Sequence, residues 1–195
     1  MGKYFGTDGF RGEANVTLTV EDAYKVGRFL GWYYGQKNEG ERCRVVIGKD
    51  TRRSSYMFEY SLVAGLTASG ADVYLLHVTT TPSVSYVVRT EEFNCGIMIS
   101  ASHNPFYDNG IKVINERGEK LEEDVITEIE KYLDGEMGEI PYATRENIGR
   151  TVDFAAGRNR YIGYLISIAT RSFKNKKVGL DCANGSASAI AKNVF

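Results

Sequence analysis

The residues best suited to chemistry lie in one short stretch between Ile99 and Lys112, which carries a serine, then a histidine, and finally a lysine. The apolar run that leads into this stretch, from Cys95, predicts a buried strand. A strand that ends in a polar turn points its side chains into the crevice at the sheet edge, where α/β proteins bind their ligands. We therefore expect a single reactive serine, Ser102, at such an edge.

Ser102 also admits an ordinary structural role. A serine just before an Asn-Pro pair often caps a turn, and the sequence alone leaves that interpretation open. A serine hydrolase is disfavoured, because the chain has no Gly-x-Ser-x-Gly motif and because the adjacent His103 would not normally reach the Ser102 hydroxyl as a general base. The other histidine, His77, ends a predicted strand and is expected to be structural.

Two cationic residues are candidates for a role beside this serine. Arg11 lies in a predicted glycine-rich loop. It is either a surface arginine or a residue whose guanidinium donates two hydrogen bonds to phosphate oxygens. Glycines at positions 6, 9 and 12 would let the backbone approach an anion closely. Lys112 falls where strand alternation can point it inward, and the alternative is a solvated lysine on a hairpin.

The elements that must position these residues alternate between strand and helix. Residues 19–36 have apolar side chains at helical spacing, with Thr19 as the expected N-cap. A second helix, capped by Ser54 or Ser55, is expected to end before Gly70. Because each helix is about one crossover long, we predict an α/β fold, with a mixed, mainly parallel sheet sandwiched by helices. The predicted strands are 44–48, 72–78 and 94–100, and the third helix is 82–90.

After the Ser102 stretch the pattern is less regular. Residues 111–121 predict a hairpin that turns at Gly118. The later predicted elements are a helix over 121–133, a loop over 135–149, a helix over 152–169, a strand over 177–181 and a helix from Ser186. The last three elements cannot close a sheet, so we predict one domain over 1–150 and the truncated start of a second similar domain over 151–195. The apolar surface left uncovered predicts self-association, or mobility of the second part.

The composition excludes several classes of protein. The chain has 195 residues, 43% of them hydrophobic and 25% charged, with a net charge of −1. That balance is typical of a globular protein and gives no general attraction to nucleic acid or to a membrane surface. The N-terminus has no apolar signal region, no apolar run approaches the roughly 18 residues of a membrane span, and three cysteines lie far apart. We therefore expect a cytoplasmic protein with free thiols.

Four motifs, in order along the whole chain, carry a resemblance to a known family. They are YFGTDGFRG at 4–12, GKDTR at 48–52, SASHNPFYDNGIK at 100–112 and DCANG at 181–185. With these motifs the chain resembles the α-D-phosphohexomutases, and the forms FGTDG and PFYDNG resemble the glucosamine branch of that family. The resemblance implies the first domain of a phosphohexomutase, which carries the phosphoserine loop, followed by the start of the second.

The resemblance also implies an activity. The parent enzyme would be an isomerase of amino-sugar metabolism, toward cell-wall precursors, that interconverts glucosamine 6-phosphate and glucosamine 1-phosphate. Phospho-Ser102 would give its phosphoryl group to the sugar, and the bisphosphorylated intermediate would turn over and return its other phosphoryl group. Lys112 would act as general acid or base, His103 would position the sugar or shuttle a proton, and Arg11 would hold phosphate. Further phosphate-binding candidates are Thr7, Asn104 and Arg52, although Asp50 is an equally good local partner for Arg52.

Mg²⁺ is the cofactor that the resemblance implies, bound to the phosphate on Ser102. Its carboxylate ligands, the sugar-recognition loop and the last phosphate-binding loop would lie beyond Phe195, so we expect this chain alone to be inactive. Two alternatives stay open. One is a phosphomannomutase/phosphoglucomutase of the same family, and the other is a non-catalytic fragment that binds phosphate or a partner.

Overall fold

A seven-stranded mixed sheet lies at the centre of the computed structural model, which describes residues 2–38 and 40–195. Its strands are β1 (Phe5–Gly6), β2 (Gly9–Glu13), β3 (Arg44–Lys49), β4 (Asp72–Val78), β5 (Cys95–Ile99), β6 (Asp108–Asn115) and β7 (Thr151–Asp153). In space they follow the order β1-β2-β6-β5-β3-β4-β7. The run β5-β3-β4-β7 is parallel and the run β1-β2-β6-β5 is antiparallel, so the predicted mixed α/β sheet is confirmed.

Helices cover both faces of the sheet. They are α1 (Val20–Lys37), α2 (Arg53–Ala68), α3 (Thr81–Thr90), α4 (Glu123–Leu133), α5 (Ala155–Ser167) and α6 (Ala191–Val194). Helices α1, α2 and α4 pack on one face around buried Phe29, Phe58 and Ile129, while α3 packs on the other face around Val84 and is covered in turn by α5. The central strands are therefore buried on both faces, which explains why their sequences are continuous apolar runs.

The beginnings of the first two helices differ in how they are capped. Thr19 caps α1 as predicted, since its hydroxyl accepts from the Asp22 N–H at 3.2 Å and the Asp22 carboxylate accepts from the Thr19 N–H at 2.9 Å. The prediction that Ser54 or Ser55 caps α2 is wrong, because α2 begins at Arg53 without a side-chain cap. The Ser55 hydroxyl is taken by Asp50, to which it donates at 2.7 Å.

The N-terminal glycine-rich segment forms a hairpin, where a loop was expected. Strands β1 and β2 are joined by two residues, and Gly9 follows with a φ of 97°, which favours glycine. Phe10 pairs with Ile111 of β6 and is buried in the core, which ties the segment to the sheet. Arg11 therefore lies on a strand, with a direction fixed by strand alternation.

The part of the chain after β6 departs most from the sequence-based expectations. The predicted hairpin over 111–121 is reduced to an isolated bridge between Ile114 and Lys120. The predicted helix over 152–169 begins only at Ala155, because residues 151–153 instead extend the sheet as β7 beside β4. That strand lies past the predicted boundary at residue 150, and the division into two domains stays a prediction.

The predicted strand over 177–181 is not formed. Among the described residues it has no strand neighbour, and Val178 and Leu180 are each 45% exposed. The predicted helix from Ser186 is a short 3-10 turn over Ser186–Ala189 followed by α6. Exposed apolar side chains are frequent here, as expected, and self-association through them stays a prediction.

Neither a membrane-spanning helix nor a disulfide is present in the described part of the chain. Its helices are too short or too polar to cross a bilayer. Cys43, Cys95 and Cys182 are free thiols, as predicted. Burial raises the pKa of the Cys43 thiol to about 12 and the pKa of the Cys95 thiol well above its usual 9.0, so both are unreactive packing residues.

Candidate active site

The carboxyl ends of the parallel strands β3, β4 and β5 meet at a cleft of about 1190 Å³. Strand β3 has β4 on one side and β5 on the other, although β4 and β5 are successive along the chain with α3 between them. The point where strand order reverses in this way is where α/β sheets open a crevice for ligands. The side chains predicted for chemistry that line this cleft are Arg52, Ser102, His103, Asn104 and Lys112.

Ser102 stands at the exposed tip of the loop that joins β5 to β6. Its φ of 58° lies in the left-handed region, which costs an L-residue roughly 1–2 kcal/mol. Its N–H donates to the Ser100 hydroxyl at 3.0 Å, and its own hydroxyl lies 3.5 Å from Nδ1 of His103. That last distance is too long for an effective hydrogen bond, so His103 does not activate Ser102 as in a hydrolase triad.

The same loop is shaped by bonds of Asn104 and Asp108. The Asn104 N–H donates to the Ala101 carbonyl at 3.1 Å, and the Asn104 side-chain amide donates to the Asp108 carboxylate at 2.9 Å. The Asp108 N–H closes a second turn on the Pro105 carbonyl at 3.1 Å. Asn104, predicted to bind phosphate, therefore uses one of its two amide N–H donors in the loop itself.

Arg52, on the neighbouring loop after β3, donates all five of its N–H groups within the chain. Nε donates to the Asp50 carboxylate at 2.9 Å. The other donors reach main-chain carbonyls, those of Pro105 at 2.5 Å, Asp108 at 3.1 Å, Ser102 at 3.0 Å and Asn104 at 2.8 Å. This geometry conflicts with the prediction that Arg52 binds phosphate, because no N–H remains for a phosphate oxygen.

Lys112 and Arg11 project from strands toward the face of the sheet that α3 covers. Lys112 pairs with Met98 on β5, and Arg11 pairs with Gly110 on β6, so both alternate with residues that face the opposite core. Burial lowers the pKa of the Lys112 ammonium, the positive charge of Arg11 lowers it further, and Asp8 and Asp50 act in the opposite direction. The net effect lowers the pKa of Lys112 and so makes the neutral amine, the form that can accept a proton, easier to reach than in an exposed lysine.

Arg11 is held beside this amine but does not line the main cleft. Its guanidinium lies 3.0 Å from the Asp8 carboxylate, and its side chain is 22% exposed. Its buried Nε has no hydrogen-bond partner among the residues described. Thr7 and Asp8 line a neighbouring cavity of about 470 Å³ together with Lys112, which therefore borders both spaces. The structure thus separates Thr7 from Ser102 while placing Lys112 between them.

A segment near the end of the chain faces the Ser102 loop across the cleft. Ala183, Asn184 and Gly185 line it, and the Thr51 hydroxyl donates to the Asn184 carbonyl at 2.9 Å. The DCANG motif was expected only as part of the family resemblance, and no local pattern in the sequence places it at the cleft, because the contact with Thr51 joins residues far apart in the chain.

The residues that the structure describes do not form a Mg²⁺ site. The acids nearest the cleft each have a cation or amide partner, since Asp50 accepts from Arg52, Asp108 from Asn104, and Asp8 pairs with Arg11. In the chain as described, no group of three or more His, Cys, Asp or Glu side chains is placed to hold a metal ion. A phosphate on Ser102 would be the one strong oxygen ligand that these residues add.

Comparison with known proteins gives a consistent result. A curated phosphoglucosamine mutase from Lachnospira eligens is 79% identical over all 195 residues, and one from Lachnoclostridium phytofermentans is 76% identical over the same length. The chain spans 43% of the length of each of these relatives.

A solved structure shares the fold, and a family model matches the sequence. A crystal structure of a phosphoglucomutase/phosphomannomutase family protein from Burkholderia thailandensis matches 86% of this chain and 36% of its own, with a TM-score of 0.68 and 24% identity. A family model described as phosphoglucomutase/phosphomannomutase, alpha/beta/alpha domain I, matches residues 2–138. Because this match covers more than half of the chain, the chain belongs to the phosphoglucomutase/phosphomannomutase family.

Proposed function

We propose that this chain is the phosphoserine-bearing N-terminal part of a phosphoglucosamine mutase. The observation that carries the proposal is the pairing of an exposed serine hydroxyl, on a tightly bonded loop, with a lysine of lowered pKa in the same cleft. Relatives at 79% and 76% identity that bear this name support the hexosamine branch over other hexose mutases. The substrate would be a phosphorylated hexosamine and the setting the cytoplasm.

In the proposed reaction Ser102 acts as a phosphoryl carrier. The bond between Ser102 Oγ and phosphorus breaks while a bond forms from phosphorus to the free sugar hydroxyl oxygen. The proton of that hydroxyl passes to Lys112 acting as general base, and Lys112 returns a proton to Ser102 Oγ or to the sugar as the direction requires. After the bisphosphorylated sugar turns over, the same steps in reverse return its other phosphoryl group to Ser102.

Charge in this site has to be balanced, because a phosphoserine carries roughly two negative charges. Arg11 supplies a fixed cation beside Lys112, and its unpartnered Nε is a donor available to an anion. His103, next to Ser102, would position the sugar. Since the described residues offer Mg²⁺ no carboxylate cluster, its further ligands would have to come from other segments, and we expect the 195-residue chain alone to show no turnover.

The test is an assay of a full-length mutase that carries this N-terminal sequence. We expect it to interconvert glucosamine 6-phosphate and glucosamine 1-phosphate faster than the corresponding mannose or glucose phosphates. Preference for mannose or glucose phosphates would assign the protein to the other branch. Absence of turnover with all of them, in a folded full-length protein, would contradict the mutase proposal and favour a binding fragment.

A further inference from the structure

The guanidinium of Arg52 lies under the Ser102 loop and is surrounded by acceptors. Four of its N–H groups reach the main-chain carbonyls of Ser102, Asn104, Pro105 and Asp108, and the fifth reaches Asp50. Its side chain is only 11% exposed. A planar fork of five donors suits this set of acceptors, whereas a lysine offers three donors on one nitrogen.

A chain of buried side chains fixes this guanidinium from behind. The Asp50 carboxylate accepts from Arg52 Nε at 2.9 Å and from the Ser55 hydroxyl at 2.7 Å. Ser55 in turn accepts from the Asn109 side-chain amide at 3.0 Å. Ser55 and Asn109 are fully buried and Asp50 is nearly so. The network thus ties the β3 loop, the start of α2 and the start of β6 together.

The bonds inside the Ser102 loop are short in range and do not attach it to the rest of the domain. They are two main-chain turn bonds, one from the Asn104 side-chain amide to Asp108 and one from the Ser102 N–H to Ser100, while Ser102 occupies the left-handed region with its side chain exposed. Ordering each residue of a loop costs conformational entropy. Hydrogen bonds from a charged donor are stronger than those between neutral groups, so four of them from one guanidinium can offset much of that cost.

We propose that Arg52 is a positioning residue that holds the Ser102 loop in its reactive conformation, and that it does not bind the transferred phosphate. The guanidinium acts on the carbonyls of the loop, so its effect on Ser102 is indirect. The part of this proposal that concerns loop order is independent of the proposed function. The part that concerns the rate of phosphoryl transfer rests on it.

The first experiment measures amide hydrogen exchange in the 195-residue chain for wild type, Arg52→Met and Arg52→Lys. Arg53→Met is the matched control, because Arg53 is adjacent and exposed and makes no side-chain hydrogen bond among the described residues. We expect the N–H groups of Asn104 and Asp108 to exchange at least about tenfold faster in Arg52→Met, with β3 and β5 unchanged, since charged donors bind strongly. Arg52→Lys should restore protection only in part.

Two results of this experiment would overturn the proposal. The first is that the loop amides exchange at the same rate in both Arg52 variants as in wild type and in Arg53→Met. The other is acceleration of β3 and β5 by the same factor as the loop, which would make Arg52 a general stabiliser of the fold. Neither result depends on any mutase activity.

The second experiment measures steady-state kinetics in a full-length mutase with this N-terminal sequence. A positioning role predicts that Arg52→Met lowers kcat at least about tenfold with little change in KM, because the reacting oxygen is misplaced after the substrate binds. A raised KM with unchanged kcat would show that Arg52 binds phosphate, and a loosened loop with unchanged kcat would remove the catalytic part. If the wild type itself lacks turnover, the proposed function fails while the exchange result still stands.

Discussion

Ser102 and Lys112 border the same cleft, yet one lies on a loop and the other on a strand. Lys112 pairs with Met98 across the ladder between β5 and β6, so its position follows from the sheet. Ser102 lies outside the sheet. Its position depends on the hydrogen bond that Arg52 donates to its carbonyl, on the bond that its own N–H donates to Ser100, and on the turns of its loop. The difference shows two ways of positioning a side chain at the cleft. Lys112 is positioned by backbone pairing within the sheet, and Ser102 by side chains that donate hydrogen bonds to the backbone of its loop.

The two placements also suit different chemical needs. The strand keeps Lys112 half-buried, and that burial is the main reason for its lowered pKa. The loop keeps Ser102 exposed, so that a phosphoryl group with roughly two charges can be carried without being desolvated. Exchanging these settings would return the lysine to its ordinary pKa in water and would desolvate the charged phosphate, which is unfavourable.

The largest expected effect comes from removing the Ser102 hydroxyl in a full-length mutase with this sequence. Without an acceptor for the phosphoryl group there is no carrier, so Ser102→Ala should lose nearly all turnover. Ser172→Ala, on an exposed segment outside the cleft, is the control and should keep it. Turnover of the Ser102→Ala protein close to wild type, measured by product formation with contaminating enzyme excluded, would contradict the carrier assignment.

Next in size is the loss of proton transfer in Lys112→Ala. A positioned acid or base typically contributes about 10²–10⁴-fold, and we expect kcat to fall by that factor with a smaller change in KM. In Arg11→Ala both parameters should change, because a phosphate contact is lost before and during the reaction. A Lys112→Ala rate within about fivefold of wild type would show that the lysine is not the general acid or base. Lys131→Ala, exposed on α4, serves as control.

A smaller effect is expected from the backbone strain at Ser102. Its positive φ costs an L-residue about 1–2 kcal/mol, which glycine avoids at a partly offsetting cost in entropy. Ser102→Gly should therefore be more stable than Ser102→Ala by about 0.5–1 kcal/mol in urea unfolding of this chain. Equal stabilities would mean that the loop relaxes away from the left-handed conformation when the serine is replaced.

The smallest effect is the pH dependence contributed by Lys112. Because its pKa is lower in the folded chain than its ordinary 10.5, the folded state binds fewer protons between those two values. Its charging therefore disfavours folding below the folded pKa, and this penalty disappears as the pH rises to 10.5. Lys112→Met should gain stability over wild type at neutral pH, and the gain should shrink as the pH rises. A gain independent of pH would attribute it to packing alone.

Much of the fold could be predicted because apolar spacing and end signals are local. Helix α1 with its Thr19 cap and strand β4 follow the pattern closely. What failed was decided by distant partners. Residues 151–153 become a strand only because the edge of β4 is free to pair with them. The N-terminal motif was expected to be a loop because it is rich in glycine. It forms a hairpin because β2 pairs with β6, which lies far away in the sequence.

The candidate site shows the same division. Motif order and residue type were enough to propose Ser102, Lys112 and Arg11, and the structure brings Ser102 and Lys112 to one cleft, while their roles stay predictions. The contact between Arg52 and the Ser102 loop could not be predicted from the sequence, because the carbonyls that accept its hydrogen bonds lie some fifty positions away in the chain. A guanidinium suits phosphate and carbonyl oxygens alike, and only the fold decides between them.

The central claim, that Ser102 carries the phosphoryl group, is tested most directly by following that group. A full-length mutase with this N-terminal sequence would be incubated with radiolabelled glucosamine bisphosphate, digested and mapped, and a second sample would be chased with unlabelled glucosamine 6-phosphate. We predict that the label appears on the peptide containing Ser102 and leaves with the sugar during the chase. Label on another residue, or label on Ser102 that the sugar does not remove, would contradict the account.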